Sequence, residues 1–103
     1  MIKIRYTKNG FVVPDELVSE WADNLIDRHR KGALLIATVG AETMIHEIRL
    51  RVKEGKIDCF DIEFTYKDKT INVDKDGRFV GILSDGFCDT YEKQMVKLLG
   101  NLW

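Results

Sequence analysis

The sequence predicts an α/β fold: a small sheet with a parallel βαβα unit, followed by a β-meander and a C-terminal helix. Two apolar, strand-like segments in the first half alternate with two segments of helical period, and residues 60–66 then alternate apolar and polar one by one. A leucine-bearing run closes the chain. Its 103 residues, 45% hydrophobic and 32% charged, suit one core, so residues 1–103 are read as a single domain.

Ile2 to Thr7 alternate as a half-exposed strand does, and Lys8-Asn9-Gly10 reads as a turn because Asn and Gly tolerate positive φ. Phe11-Val12-Val13 can extend the strand. Pro14 suits the first turn of a helix, where its missing N–H removes a donor that has no partner, and Asp15 and Glu16 complement the positive helix end. Leu17, Val18, Trp21, Ala22, Leu25 and Ile26 form one apolar stripe, and the basic stretch Arg28 to Lys31 precedes a stop at Gly32. Ala33 to Val39 is an apolar run rich in branched residues, which predicts a central strand covered on both faces.

From Ala41 to Lys53 two periods compete. Met44, Ile45, Ile48 and Val52 follow a helix, whereas Ile48, Leu50 and Val52 against Arg49, Arg51 and Lys53 alternate as a strand would; the helix is preferred, ended by Gly55. Phe60, Ile62, Phe64 and Tyr66 alternate with Asp61, Glu63 and Thr65, Lys67-Asp68-Lys69 turns the chain, and Thr70 to Asp74 return beside them. Asp76-Gly77 makes a tight turn and Arg78 to Leu83 extend the meander. Asp89 or Ser84 caps a last helix whose Tyr91, Met95, Leu98, Leu99 and Leu102 face the core. The first two strands are expected to run parallel, joined by a right-handed helical crossover.

Sixteen Lys plus Arg against seventeen Asp plus Glu leave a formal charge of −1, so no global field draws the chain to nucleic acid or an anionic membrane. Cys59 and Cys88 stand far apart without a CxxC motif, which suits two buried thiols in a reducing compartment. No signal-peptide pattern opens the sequence and no apolar run reaches membrane-spanning length, so a cytoplasmic protein is expected.

The order of these signals resembles the C-terminal part of predicted ABC-type ATPases of the RecF and OLD-like group. In that family a proline opens a helix carrying Ala-Asp-Leu, a Gly precedes an apolar strand ending Thr-His-Ser-Glu, and a helix with Arg-Leu-Arg and a Gly follows. Pro14, Ala22, Asp23, Leu25, Gly32, Thr38, Glu42, Arg49, Leu50, Arg51 and Gly55 occupy that order here. The family's tail, Asp-x-x-Gly-Arg/Lys-Phe and then Gly-Phe-Phe-Asp with a closing leucine helix, is matched by Gly77, Arg78, Phe79, Gly86, Phe87 and Asp89. The departures are as telling. No GxxxxGK[ST] phosphate loop occurs. Tyr6-Thr7-Lys8-Asn9 stands where the family shows Glu-Asn-Pro-Glu, and Thr38-Val39-Gly40 where it shows Thr-His-Ser. The resemblance thus implies a degenerate lobe that binds no magnesium–ATP, uses no cofactor and holds no catalytic or metal residue, the matched positions serving as scaffold.

Individual polar residues have bland and sharp explanations. Glu42 and His46 fall on one helix face as a metal pair would, but two ligands make no site, and a solvated charged face also accounts for Glu42, His46, Glu47 and Arg49. His29 suits a helix C-terminal cation. Asp58, Asp61, Glu63, Asp74 and Asp76 bracket the hairpin and read first as its wet side. Arg28, Arg30, Lys31, Arg49, Arg51 and Lys53 would form a basic face if the two helices share one side, although without interleaved aromatics. The expected function is therefore a non-catalytic protein-interaction module in a phage-defence or counter-defence setting, as a homodimer or bound to a larger partner. The alternatives are a small enzyme of another class using Cys88 or the Glu42/His46 pair, and a local nucleic-acid binder.

Overall fold

Branched residues at alternate positions fix which side of each strand meets the core, and strand β1 (Ile2–Phe11) sets the pattern for the others. The computed structural model describes residues 1–81. Ile2 and Ile4 of β1 are fully buried between two parallel neighbours, β2 (Leu35–Val39) and β3 (Ile62–Tyr66). Ile2 lies opposite Leu35 and Ile62, and Ile4 opposite Ala37 and Phe64, so two apolar rows cross the sheet on one face. On the other face Lys3 lies between Ile36 and Glu63, and Arg5 between Thr38 and Thr65. β4 (Lys69–Val73) and the short β5 (Phe79–Val80) add antiparallel strands, giving the order β2-β1-β3-β4-β5. The parallel unit and the meander expected from the sequence are both present.

Helix α1 (Val18–Arg30) buries Val18, Ala22, Leu25 and Ile26, and α2 (Glu42–Lys53) buries Met44, Ile45, Ile48 and Val52. These eight side chains and the inner row of the sheet form one core, whereas Lys3, Arg5, Ile36, Thr38, Thr70 and Asn72 are all exposed on the face that neither helix covers. The helical period therefore prevails over the strand-like alternation at residues 48–53, because it alone brings Ile45, Ile48 and Val52 onto one side.

Both helices lie on the same face, yet the chain steps from β1 outward to β2 and then back across β1 to β3. Two parallel crossovers that traverse a sheet in opposite directions over one face have opposite hands, so only one of them can have the usual right hand. Among the described strands, the same step back leaves β2 at the edge of the sheet. Ala33 to Val39 is therefore not the doubly covered central strand that its apolar run suggests. Leu34 is 64% and Ile36 72% exposed, and only alternate residues face the helices.

Three smaller differences have local causes. The expected turn at Lys8-Asn9-Gly10 is an irregularity inside β1: Tyr6 and Phe11 both pair with Val39, and the chain between them deviates without ending the strand. Gly10 makes this possible, because a Cβ there would lie 2.3 Å from the Val39 carbonyl carbon. The first helix does not begin at Pro14. A single 3₁₀ turn, Asp15–Leu17, closes onto the Pro14 carbonyl, and regular α-helix starts at Val18. Phe60 sits in a second 3₁₀ turn, Cys59–Asp61, ahead of β3 and is 83% exposed rather than the first inward residue of that strand. The C-terminal helix expected from residues 84–102 lies outside the described residues.

Arg51 ties the helices together. From α2 its guanidinium donates to Glu47 one turn back and, across to α1, to the Asp23 carboxylate and the Ser19 hydroxyl. The Arg51 side chain is largely buried while Asp23 is mostly exposed, so the cluster is worth more than a free surface ion pair and less than a fully desolvated one. Arg51→Ala is expected to lower the unfolding free energy by ~1–3 kcal/mol. Arg30→Ala, which removes one exposed bond to the Lys56 carbonyl, should change it by no more than ~0.5 kcal/mol. Urea denaturation of the two variants tests the contrast.

Candidate functional site

The family-like positions come together, but as a structural lock. Arg49 leaves α2 toward the turn between β4 and β5, where its Nε donates to the Gly77 carbonyl at 2.7 Å and its guanidinium lies 4.0 Å from the centroid of the Phe79 ring. Its Nη1 also donates to His46 Nδ1 at 2.9 Å, which makes that ring nitrogen an acceptor. Gly77 is required at this contact: its φ is +75°, and a Cβ would lie 2.3 Å from the Arg49 carbonyl oxygen. Arg78 is exposed beside it, and its N–H donates to Asp74. Arg49, Gly77 and Phe79 are thus joined from motifs far apart in sequence. Arg51 belongs to the clamp between the helices, Pro14 carries the 3₁₀ turn, Thr38 lies on the uncovered sheet face and Glu42 opens α2. Gly86, Phe87 and Asp89 lie outside the described residues.

The sharper chemical candidates do not assemble into a centre. With His46 Nδ1 engaged by Arg49, the pair with Glu42 does not develop into a metal site, and no group of three or more His, Cys, Asp or Glu residues converges among the described residues. His46 does line an open groove of about 760 Å³ between the start of α1 and α2, together with Asp15, Thr43 and Glu47. Cys59 is a half-buried free thiol, and Cys88 lies outside the described residues. Four of the five hairpin carboxylates are engaged. Asp58 accepts the Phe60 N–H, Asp74 accepts those of Asp76 and Arg78, Glu63 accepts from the Thr70 hydroxyl, and Asp61 lies 3.4 Å from His29 Nε2. The basic face does not form as a unit, because Arg49 and Arg51 turn into the fold and Arg30 folds onto the Lys56 carbonyl.

Among the described residues, what the structure leaves open is the β2 edge. There β2 is paired on one side only, and its sequence, Leu-Ile-Ala-Thr-Val, carries no charge and no proline. Leu34 and Ile36 project from it on the uncovered face. Ser19 and Asp23 point to Arg51 of α2, and Trp21, two residues from each and so about 200° round the helix, lies on the flank of α1 turned away from α2 and packs partly against the core. Leu17, just ahead of α1, is exposed. The run at 33–39 signalled an apolar strand, but the pairing of β3 with β1 that leaves it at the edge has no local sign in the sequence.

Among the described residues no helix is long and apolar enough to cross a membrane. Compared with protein-family models, with curated proteins and with solved structures, the chain matches none.

If Gly77 and Arg49 act as a lock, Gly77→Ala should destabilise the fold by ~1–3 kcal/mol, since both the positive φ and the contact with the Arg49 carbonyl oppose a methyl group. Gly32→Ala, with φ +90° but open space around the new methyl, should cost less, about 1 kcal/mol. Thermal unfolding of both variants measures the difference; equal losses would show that the close approach at Gly77 adds nothing.

Proposed function

We propose that the chain is a protein-interaction module that works as a twofold dimer joined at β2. The observation that carries this reading is the uncharged strand that stands at the sheet edge among the described residues, with Leu34 and Ile36 exposed on the face that neither helix covers. Such an edge presents unpaired N–H and C=O groups to any strand that fits. A second copy of the chain fits by construction. Antiparallel pairing centred on Ala37 sets Leu35 against the partner's Val39 and Ile36 against its Thr38, so helix-side residues meet helix-side residues and outer residues meet outer ones. The twofold axis then runs through the sheet, and both helical layers stay on one face of a continuous ten-stranded sheet.

The energetics favour it. Pairing across the seam covers part of Leu34 and Ile36 in each copy, which are 64% and 72% exposed, so each contributes a fraction of the about 1.5–3 kcal/mol that full burial of a large aliphatic side chain gives. With a formal charge of −1, electrostatic repulsion between copies is small. The resemblance to the C-terminal lobe of ABC-type ATPases supports the same reading from another side, since a lobe without the phosphate loop keeps a scaffold and no nucleotide chemistry, and it suggests phage defence or counter-defence as the setting.

Light scattering over a concentration series should give about twice the 11.9 kDa chain mass for the parent protein. Ile36→Lys adds a charge at the proposed seam, beside Lys3, and should give the monomer mass with unchanged secondary structure. A strict monomer for the parent protein at high micromolar concentration would overturn the proposal.

A further inference from the structure

A second open feature lies at the carboxyl ends of the parallel strands. The chain leaves β1 in the direction of β2 and leaves β3 in the direction of β4, so the two exits diverge. A parallel sheet with diverging exits opens a crevice just outside those strand ends, where α/β proteins commonly hold ligands. Here a cavity of about 460 Å³ occupies that place, lined by Arg5, Tyr6, Thr7 and Lys8 of β1, Tyr66 of β3 and Lys67 of the following turn.

The lining has one sign of charge. Arg5, Lys8 and Lys67 contribute three cations, and no carboxylate of the described residues lines the cavity. The ion pairs among the described residues, His29–Asp61, Arg51–Asp23 and Arg51–Glu47, involve none of these three. In a chain with more acidic than basic residues, three cations around one concavity, with no carboxylate partner among the described residues, concentrate positive potential at that point. Lys67 is held close by a tight turn in which it and Asp68 have φ of 49° and 64°, and its Nζ lies 5.3 Å from the centre of the Tyr66 ring. The Tyr6 and Tyr66 rings, whose centroids stand 5.8 Å apart, line the cavity together with Thr7.

We propose that this cavity binds a phosphoryl group carried on a larger molecule. A phosphomonoester brings nearly two negative charges and three acceptor oxygens near neutral pH, a closer match to three cations than the single charge of a carboxylate. The volume exceeds what a bare phosphate ion fills and lies within the usual range of small-molecule pockets. A small phosphomonoester supplies that charge in one group, whereas a nucleic-acid strand supplies one charge per phosphodiester and would meet the cations with successive phosphates. The site owes nothing to a phosphate loop or a metal ion, and it is separate from the β2 edge, so its fate does not depend on the dimer.

The test is an NMR titration of the isotope-labelled full chain at low salt, with inorganic phosphate, a phosphosugar and oligothymidylate as probes, in the parent protein and in a Lys8→Ala/Lys67→Asn variant. Asn tolerates the positive φ at position 67, and both lysines are exposed, so the variant keeps the fold. Amide shifts should concentrate at residues 5–8 and 66–67, and the variant should bind at least about tenfold more weakly. Tighter binding of the phosphosugar identifies a small phosphorylated ligand; tighter binding of oligothymidylate, falling steeply with salt, identifies a strand. Shifts scattered over the surface, no shifts with any probe, or equal affinity in the variant would each overturn the proposal.

Discussion

Strand β1 is hydrogen-bonded in parallel on both sides, and its two neighbours meet only through it. Ile2 and Ile4 consequently have no exposure at all, since each is flanked by a residue of β2 and one of β3 and covered by the helices. The rest of the architecture depends on this placement. It sends the second crossover back over the first and, among the described residues, leaves a strand of uncharged residues at the margin. A polar substitution at Ile4 would disturb three strands and both helices together, because one side chain is common to all their packing.

The helical layer is fastened at two points by arginines that look interchangeable in the sequence. Arg49 and Arg51 are two residues apart on α2 and therefore point to different sides, one toward the β4–β5 turn and the other toward α1. Each uses the planar, multiply donating guanidinium to satisfy several acceptors at once, which an ammonium group cannot do in the same geometry. The resemblance to ABC-type ATPases singled out both positions, and the contacts supply a physical reason for an arginine at each that involves no nucleotide.

Much of this fold was legible in the sequence, and the illegible parts share a cause. The stripe of Val18, Ala22, Leu25 and Ile26, the stop at Gly32, the alternation from Ile62 to Tyr66 and the turn at Gly77 are local patterns, and each produces the element that it predicts. The helix over 42–53 had to be chosen against an equally visible strand pattern, and the choice holds because only the helical spacing buries Met44, Ile45, Ile48 and Val52 together. Whether Ala33–Val39 is central or marginal depends on where β3 inserts some twenty residues later, and no residue in the run records that. The surface features were harder to read for the same reason. Arg5 and Lys8 of β1 lie some sixty residues from Lys67 in the turn after β3, so no periodicity in the sequence joins the three, whereas Arg28, Arg30, Arg49 and Arg51 form an apparent cluster that side-chain contacts take apart.

The central place of β1 also has a bearing on the order of events during synthesis. Residues 2–6 leave the ribosome before both their partners, and these, at Leu35–Val39 and Ile62–Thr65, follow one after the other, the last only when most of the described chain has been made. At elongation rates of about 5–20 residues per second, β1 waits for seconds with Ile2 and Ile4 exposed and both its edges bare. Closure of these distant pairings makes for slow folding compared with a helical domain of equal size. Misassociation of the nascent domain therefore threatens β1 most, and β1 is released from that risk only by the strand that completes the sheet around it.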